Sequence, residues 1–376
     1  MKEKVEYLSN LTPLRGVAAI LVAVFHFEMA VCRFVPAAQT NFFEKCYIMV
    51  DLFFVMSGFI IMHVYGNTFK DSLQKTSLRR FFVARFARIY PLHLAVMLLL
   101  LALVFLIIPK WSNPPVIFEQ HSDILPSIFL LHSFGLTKIY CWNIPSWSIS
   151  AECAAYVLFP LLAIFSNKKK IISVVIFLLF IVIAYYCIMF VLPRKNPLYP
   201  TVPVPHNLNT TFDYGYLRGI AGFMLGILIY RLYKIDVCKK IFSNDISLLI
   251  NIALIILVMH NAWNDALVVA LFALLVLHFA CNNGIVHKVC NLRPAQFIGD
   301  ISYSIYLMQI FFQEPFSHGI RLPGVTGFGR GKMNIDFGHG LVYCIINIAL
   351  LISVSTLSYR FIEVPCRKYI NRRWGK

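Results

Sequence analysis

The sequence predicts an all-α protein, a polytopic bundle of about ten membrane-crossing helices with both termini in the cytoplasm. Three observations lead there. Of the 376 residues, 59% are hydrophobic and mean hydropathy is +0.72, more apolar than the roughly half usual for soluble domains. The apolar residues fall in runs of about 20, the length a helix needs to cross a hydrocarbon core about 30 Å thick. Finally, basic residues concentrate in alternate connections between those runs, as the positive-inside rule requires.

In chain order the expected spans are 11–32, 46–66, 90–109, 147–165, 171–192, 215–233, 246–261, 266–282, 296–313 and 340–361. The seventh and eighth are shorter and share a brief connection. With the N-terminus placed inside, 24 of the 34 Lys and Arg lie in cytoplasmic segments, although the outer loops are longer. An odd error in the span count would spoil that alternation. No small-residue cleavage site follows the first run, so it reads as a span rather than a signal peptide. There is no fixed-period repeat, and the chain reads as a single integral-membrane domain over 1–376.

The connections carry their own signals. The segment from Lys110 to Ser146 includes "ILPSIFLLHSFGL", a moderately apolar piece expected to be re-entrant or interfacial. Pro193 to Tyr214, with five prolines, reads as a structured outer loop, and long loops in compact proteins are often binding elements. The net charge of +17 is explained by topology, which leaves nucleic acid out as a partner. Ten cysteines show no C-x-x-C spacing; Cys32, Cys46 and Cys141 share a face, where a bridge between the first two is open. Buried His and carboxylates lack ligand spacing on any one helix, so no metal is expected.

The informative residues are the polar ones inside apolar runs, because a charge in hydrocarbon costs at least a few kcal/mol. Arg15 and His26 are eleven residues apart, which puts them on one helix face about 16 Å apart along the axis. Arg15 lies at the inner end and His26 in the outer third. Asp51 on the second span, Glu152 on the fourth and Gln309 on the ninth reach a similar outer depth. A histidine held by a carboxylate is a good general base, since the carboxylate fixes its tautomer and stabilises the imidazolium. Asp51, on the span next to His26, is expected to orient it, and Glu152 to meet an acceptor or complete the network. The bland alternative is a polar network that only holds helices together. On the inner side, "SLRRFFVARFARIYPLH" reads as a loop in which Arg79, Arg80, Arg85 and Arg88 crowd together. Guanidinium forks suit phosphate, although topology or anionic headgroups also explain such a cluster.

Six motifs in order resemble the acyltransferase 3 family of bacterial membrane acyltransferases over nearly the whole chain. They are R-x10-H (Arg15, His26), "VDLFFVMSGFII", R-x-x-R in "RFARIYP" (Arg85, Arg88), "PSWSISAE" (Trp147, Ser148, Glu152), "ISYSIYL" (Ser302, Tyr303, Tyr306) and "LSYRFIEVP" (Arg360, Glu363, Pro365). The resemblance implies transfer of an acyl group, commonly acetyl, from cytoplasmic acyl-CoA to a hydroxyl of a cell-envelope glycan. It carries catalysis onto His26, a supporting role onto Arg15, and acyl-CoA binding onto Arg85 and Arg88. Gln309 stands where many relatives have His. Only a short basic tail follows the last span, so no fused extracytoplasmic domain is expected.

These expectations combine into an O-acyltransferase of the bacterial inner membrane. Its partners would be acyl-CoA, membrane lipids and a glycan or lipid-linked saccharide, with no permanently bound cofactor. His26, Arg15, Asp51 and Glu152 would form the catalytic group. Arg80, Arg85 and Arg88 would hold the donor, and Trp147, Ser148 and Gln309 the acceptor. The opposing reading is a transporter or flippase for a glycan or anionic substrate, which also places polar residues in midplane.

Overall fold

The computed structural model describes residues 6–30, 35–36, 38–106, 121–137, 142–194, 204–312 and 337–375. Of the described residues 80% are helical, and none lies in a strand. The helices are α1 (Leu11–Ala30), α2 (Met49–Tyr65), α3 (Lys75–Leu106), α4 (Ile124–Ile128), α5 (Trp147–Lys168), α6 (Lys170–Tyr186), α7 (Gly215–Tyr233), α8 (Asp236–Phe242), α9 (Asp245–His260), α10 (Asp265–Cys281), α11 (Ile285–Cys290), α12 (Arg293–Asp300), α13 (Ser302–Met308), α14 (Phe337–Ser358) and α15 (Val364–Trp374).

Among the described residues, seven helical segments are long and apolar enough to cross a membrane, and an eighth results if α8 and α9, bent by 72°, form one span. The apolar α10 is shorter, and the expected ninth span is two short helices, α12 and α13. Outward-facing rows such as Leu178, Leu179, Val182 and Ile183 on α6 are exposed. An apolar surface of that extent on a helix bundle belongs against lipid.

The arginine-rich stretch expected as a loop is instead the first half of α3. Nothing from Lys75 to Tyr90 breaks a helix, since Arg, Leu and Ala all favour one. Pro91 lies inside the 32-residue helix. Of the apolar piece expected to be re-entrant, only α4 is helical, five residues long. Residues 110–120 and 138–141 of that segment, and 195–203 of the proline-rich loop, lie outside the described residues, as do Cys32 and Cys141. Cys46 is a buried free thiol that donates to the Phe42 carbonyl.

Helices α2 and α7 form the axis of the bundle. Their backbones approach so closely that a Cβ on Gly58 would lie 1.9 Å from the Phe223 carbonyl oxygen, and one on Gly226 would lie 2.1 Å from that of Val55. Small residues drive helix association in membranes in this way, because apolar side chains gain nothing by leaving lipid. Around this pair, α1 packs on α12 and α13, and α5 on α7. The small buried residues Ala18, Ala19 and Ala23 let α1 come close on the face that carries Arg15.

Candidate active site

Between α1, α2, α3, α5 and α13 lies a cavity of about 120 Å³. Its polar wall is Arg15, Arg85, Arg88, Ser57, Glu152 and Ser148, with the tyrosines 156, 303 and 306. Helix geometry orders these groups. Ser148 and Tyr156 are eight residues apart on α5, about 12 Å along its axis. Arg85 sits at the Tyr156 end, with its guanidinium 5.3 Å from the Tyr65 ring centroid and 5.9 Å from that of Tyr156. At the other end the Ser148 and Tyr306 hydroxyls are 2.8 Å apart. Between them Glu152 accepts from Ser57 Oγ at 2.6 Å and from Tyr156 OH at 2.5 Å.

The cationic end is only partly neutralised. Arg88 is 3.7 Å from Glu363, which Arg367 also approaches at 3.5 Å. The buried Nε atoms of Arg15 and Arg85 have no hydrogen-bond partner. Arg80, expected beside them, is exposed on α3 and does not line the cavity. Arg80 precedes Arg85 by five residues, which on a helix turns it well away from the Arg85 and Arg88 face.

His26 is half-buried and lies off the cavity wall. Its Nδ1 is 3.0 Å from the Val22 carbonyl oxygen and 3.2 Å from Gln309 Oε1. The Gln309 amide is oriented by its other end, since Nε2 donates to the Tyr306 carbonyl at 2.9 Å. Two acceptors therefore face Nδ1 and place the proton there, which leaves the Nε2 lone pair as the basic site. Gln309 follows Tyr306 by one turn of the same segment, so His26 stands just beyond the Tyr306–Ser148 end of the cavity.

The expected Asp51–His26 contact is not what the structure holds. Asp51 is fully buried and accepts from Arg218 Nε at 3.0 and 3.1 Å and from Arg218 Nη2. A fixed guanidinium offers a bidentate fork that a neutral imidazole cannot match. Arg218, also fully buried, lies outside the motifs, and its signal in the sequence is the one Asp51 gives, a charge inside an apolar run, here the glycine-rich "YLRGIAGFMLG". Its guanidinium lies 5.2 Å from the Trp147 ring centroid. Trp147 is therefore buried against this pair and off the cavity wall, whereas Ser148 lines it. Close by, Asp265 accepts from Lys45, Tyr47 and the Leu208 amide, so this outer polar layer ties α2, α7 and α10 to their flanking segments. The four residues expected in one layer thus divide into three pairings: His26 with Gln309, Asp51 with Arg218, and Glu152 with Ser57 and Tyr156.

A family model described as an acyltransferase domain, that of acyltransferase 3, matches residues 9–356. Among curated proteins, the chain is 26% identical to the acyltransferase MdmB of Streptomyces mycarofaciens, covering 99% of this chain and 95% of that one. It is 21% identical to the peptidoglycan O-acetyltransferase OatA of Listeria monocytogenes, over 96% of this chain and 56% of that one. To the O-acetyltransferase OatA of Staphylococcus aureus it is 24% identical, over 96% and 57%. The chain thus spans about half the length of the OatA proteins. No solved structure matches it.

Proposed function

The chain belongs to the acyltransferase 3 family, multi-pass membrane enzymes that transfer acyl groups, and on that premise we propose that its donor is cytoplasmic acyl-CoA and its acceptor a glycan hydroxyl. Acetyl is the favoured group, and the acceptor class is a cell-surface glycan such as lipopolysaccharide O-antigen, exopolysaccharide or a lipid-linked saccharide. The protein then sits in the bacterial inner membrane with both termini cytoplasmic. Membership of an enzyme family weighs against the transporter reading.

One observation carries the proposal: a single cavity joins three arginines at one end to Ser148 and Tyr306 at the other. Its volume suits the thin end of a pantetheine arm rather than a nucleotide, since pockets for whole drug-sized ligands start near 300 Å³. The nucleotide phosphates then rest on Arg85 and Arg88, where guanidinium forks match them, and the thioester reaches the Tyr306–Ser148 end. The acceptor hydroxyl gives its proton to His26 Nε2 as its oxygen attacks the thioester carbonyl. When the tetrahedral intermediate collapses the C–S bond breaks, and the imidazolium returns the proton to the departing thiolate. Gln309 holds Nδ1–H through this cycle in the role usually given to a carboxylate. Glu152, on the cavity wall, is assigned to the path of the acyl arm.

The test is incubation of the purified protein with acetyl-CoA and a bacterial envelope glycan. Free coenzyme A together with an acetyl ester on the glycan supports the reading. Binding of acetyl-CoA without turnover, or no binding at all, overturns it.

A further inference from the structure

Glu363 is the feature that the proposed chemistry leaves unused. It is 1% exposed and sits on the π-turn Tyr359–Glu363 that joins α14 to α15; single π-turns inside helices recur at functional sites. Its Oε2 accepts from Ser304 Oγ at 3.1 Å. Its Oε1 faces Arg88 at 3.7 Å and Arg367 at 3.5 Å, yet it has no hydrogen bond. Arg15 lies within electrostatic reach of both Arg88 and Glu363.

The contrast with Asp51 and Arg218 is informative. That pair is fully buried and bonded through three contacts, the geometry of a permanent ion pair. Glu363 instead rests between two half-exposed arginines at distances too long for a hydrogen bond. A buried carboxylate oxygen without a hydrogen bond is costly, and a structural ion pair would close the gap. The carboxylate is thus positioned to neutralise two cations without binding either tightly.

We propose that Glu363 is a stand-in anion: it neutralises Arg88 in the unloaded protein, and the donor's phosphate displaces it toward Arg367 on α15. This rests on the reading of Arg85 and Arg88 as the donor-phosphate site. The exchange keeps the buried carboxylate and the partly buried Arg88 paired in both states, which limits the penalty of a bare arginine cluster beside the cavity. Glu363 is then a positioning residue. It lowers donor affinity while keeping Arg88 ordered, and Arg367 acts by receiving the carboxylate.

The experiment measures the Kd of coenzyme A for purified protein in nanodiscs, with thermal unfolding as the folding control. Glu363→Gln removes the competing charge and keeps the shape, so coenzyme A should bind tighter by on the order of tenfold. Arg367→Gln removes the alternative partner and should weaken binding by on the order of tenfold. In the Glu363→Gln/Arg367→Gln double variant the Arg367 effect should largely vanish, because no carboxylate remains to be received. Unchanged or weaker binding by a folded Glu363→Gln protein overturns the proposal. So does an Arg367→Gln loss that persists in the double variant, which would make Arg367 a direct phosphate ligand. If Glu363→Gln does not fold, Arg367→Gln alone decides, and unchanged affinity overturns the idea. The underlying reading fails separately, if the wild-type protein does not bind coenzyme A or Arg88→Gln leaves its Kd unchanged.

Discussion

At the scale of single residues, partner choice decides function, and partner choice was the part least legible beforehand. Helical spacing put Arg15 and His26 on one face, and the motifs flagged Arg85, Arg88, Ser148 and Glu152, five of which line one cavity. Which polar groups pair depends on helix rotation and depth to within an ångström or two, which periodicity does not encode. Gln309, expected as an acceptor contact, lies against His26 Nδ1, and in the proposed mechanism it holds that tautomer. Gln309→Leu should therefore lower turnover by about tenfold, the worth of one hydrogen bond, with donor KM unchanged. His26→Ala in the same assay should lose a hundredfold or more, on the order of general-base catalysis. Equal rates for wild type and the Gln309 variant would remove it from the mechanism. Asp51→Asn belongs to a different class. It strips the charge from a buried pair, so it should destabilise the fold by about 3–5 kcal/mol, read as a lower unfolding temperature, while protein that does fold keeps its donor KM.

At the scale of elements, α3 orients two of the cavity's arginines and the α2–α7 pair sets the bundle's axis. Read as a loop, the arginine cluster would present four equivalent cations; as a helix, it sorts them. Arg85 and Arg88 turn inward onto the cavity and Arg80 outward. Replacing Arg85 and Arg88 together by Lys keeps the charge but loses the planar forks. Acyl-CoA binding should fall at least tenfold, on the scale of lost charge-assisted hydrogen bonds, whereas Arg80→Lys should bind normally. Comparable losses in both proteins would mean that charge alone matters. The α2–α7 contact was legible only as glycines in apolar runs, since neither sequence names its partner helix. Gly58→Ala must push α2 away from the Phe223 carbonyl. We expect a drop in unfolding temperature and in the yield of folded protein, while Ala at the exposed Ser353 on α14 should change neither.

At the scale of the whole molecule, apolar run length and the sidedness of basic residues sufficed for a multi-pass helical bundle. They did not resolve segments such as α12–α13, where one expected span is two short helices, the first mostly exposed and the second largely buried; hydropathy cannot tell burial in protein from burial in lipid. The proposed topology puts both ends of the chain on the cytoplasmic side. Reporter fusions at each terminus should agree, and opposite readings would force an odd number of crossings. The Asp51–Arg218 ion pair has a consequence in time. Its partners lie 167 residues apart, and ribosomes add roughly 5–20 residues per second. For roughly ten seconds or more during synthesis, α2 is in or near the bilayer while its counter-ion does not yet exist. Over that interval the Asp51 carboxyl must be protonated, reached by water or sheltered by the insertion machinery. The nascent protein is therefore most exposed to quality control between the emergence of its second helix and its seventh.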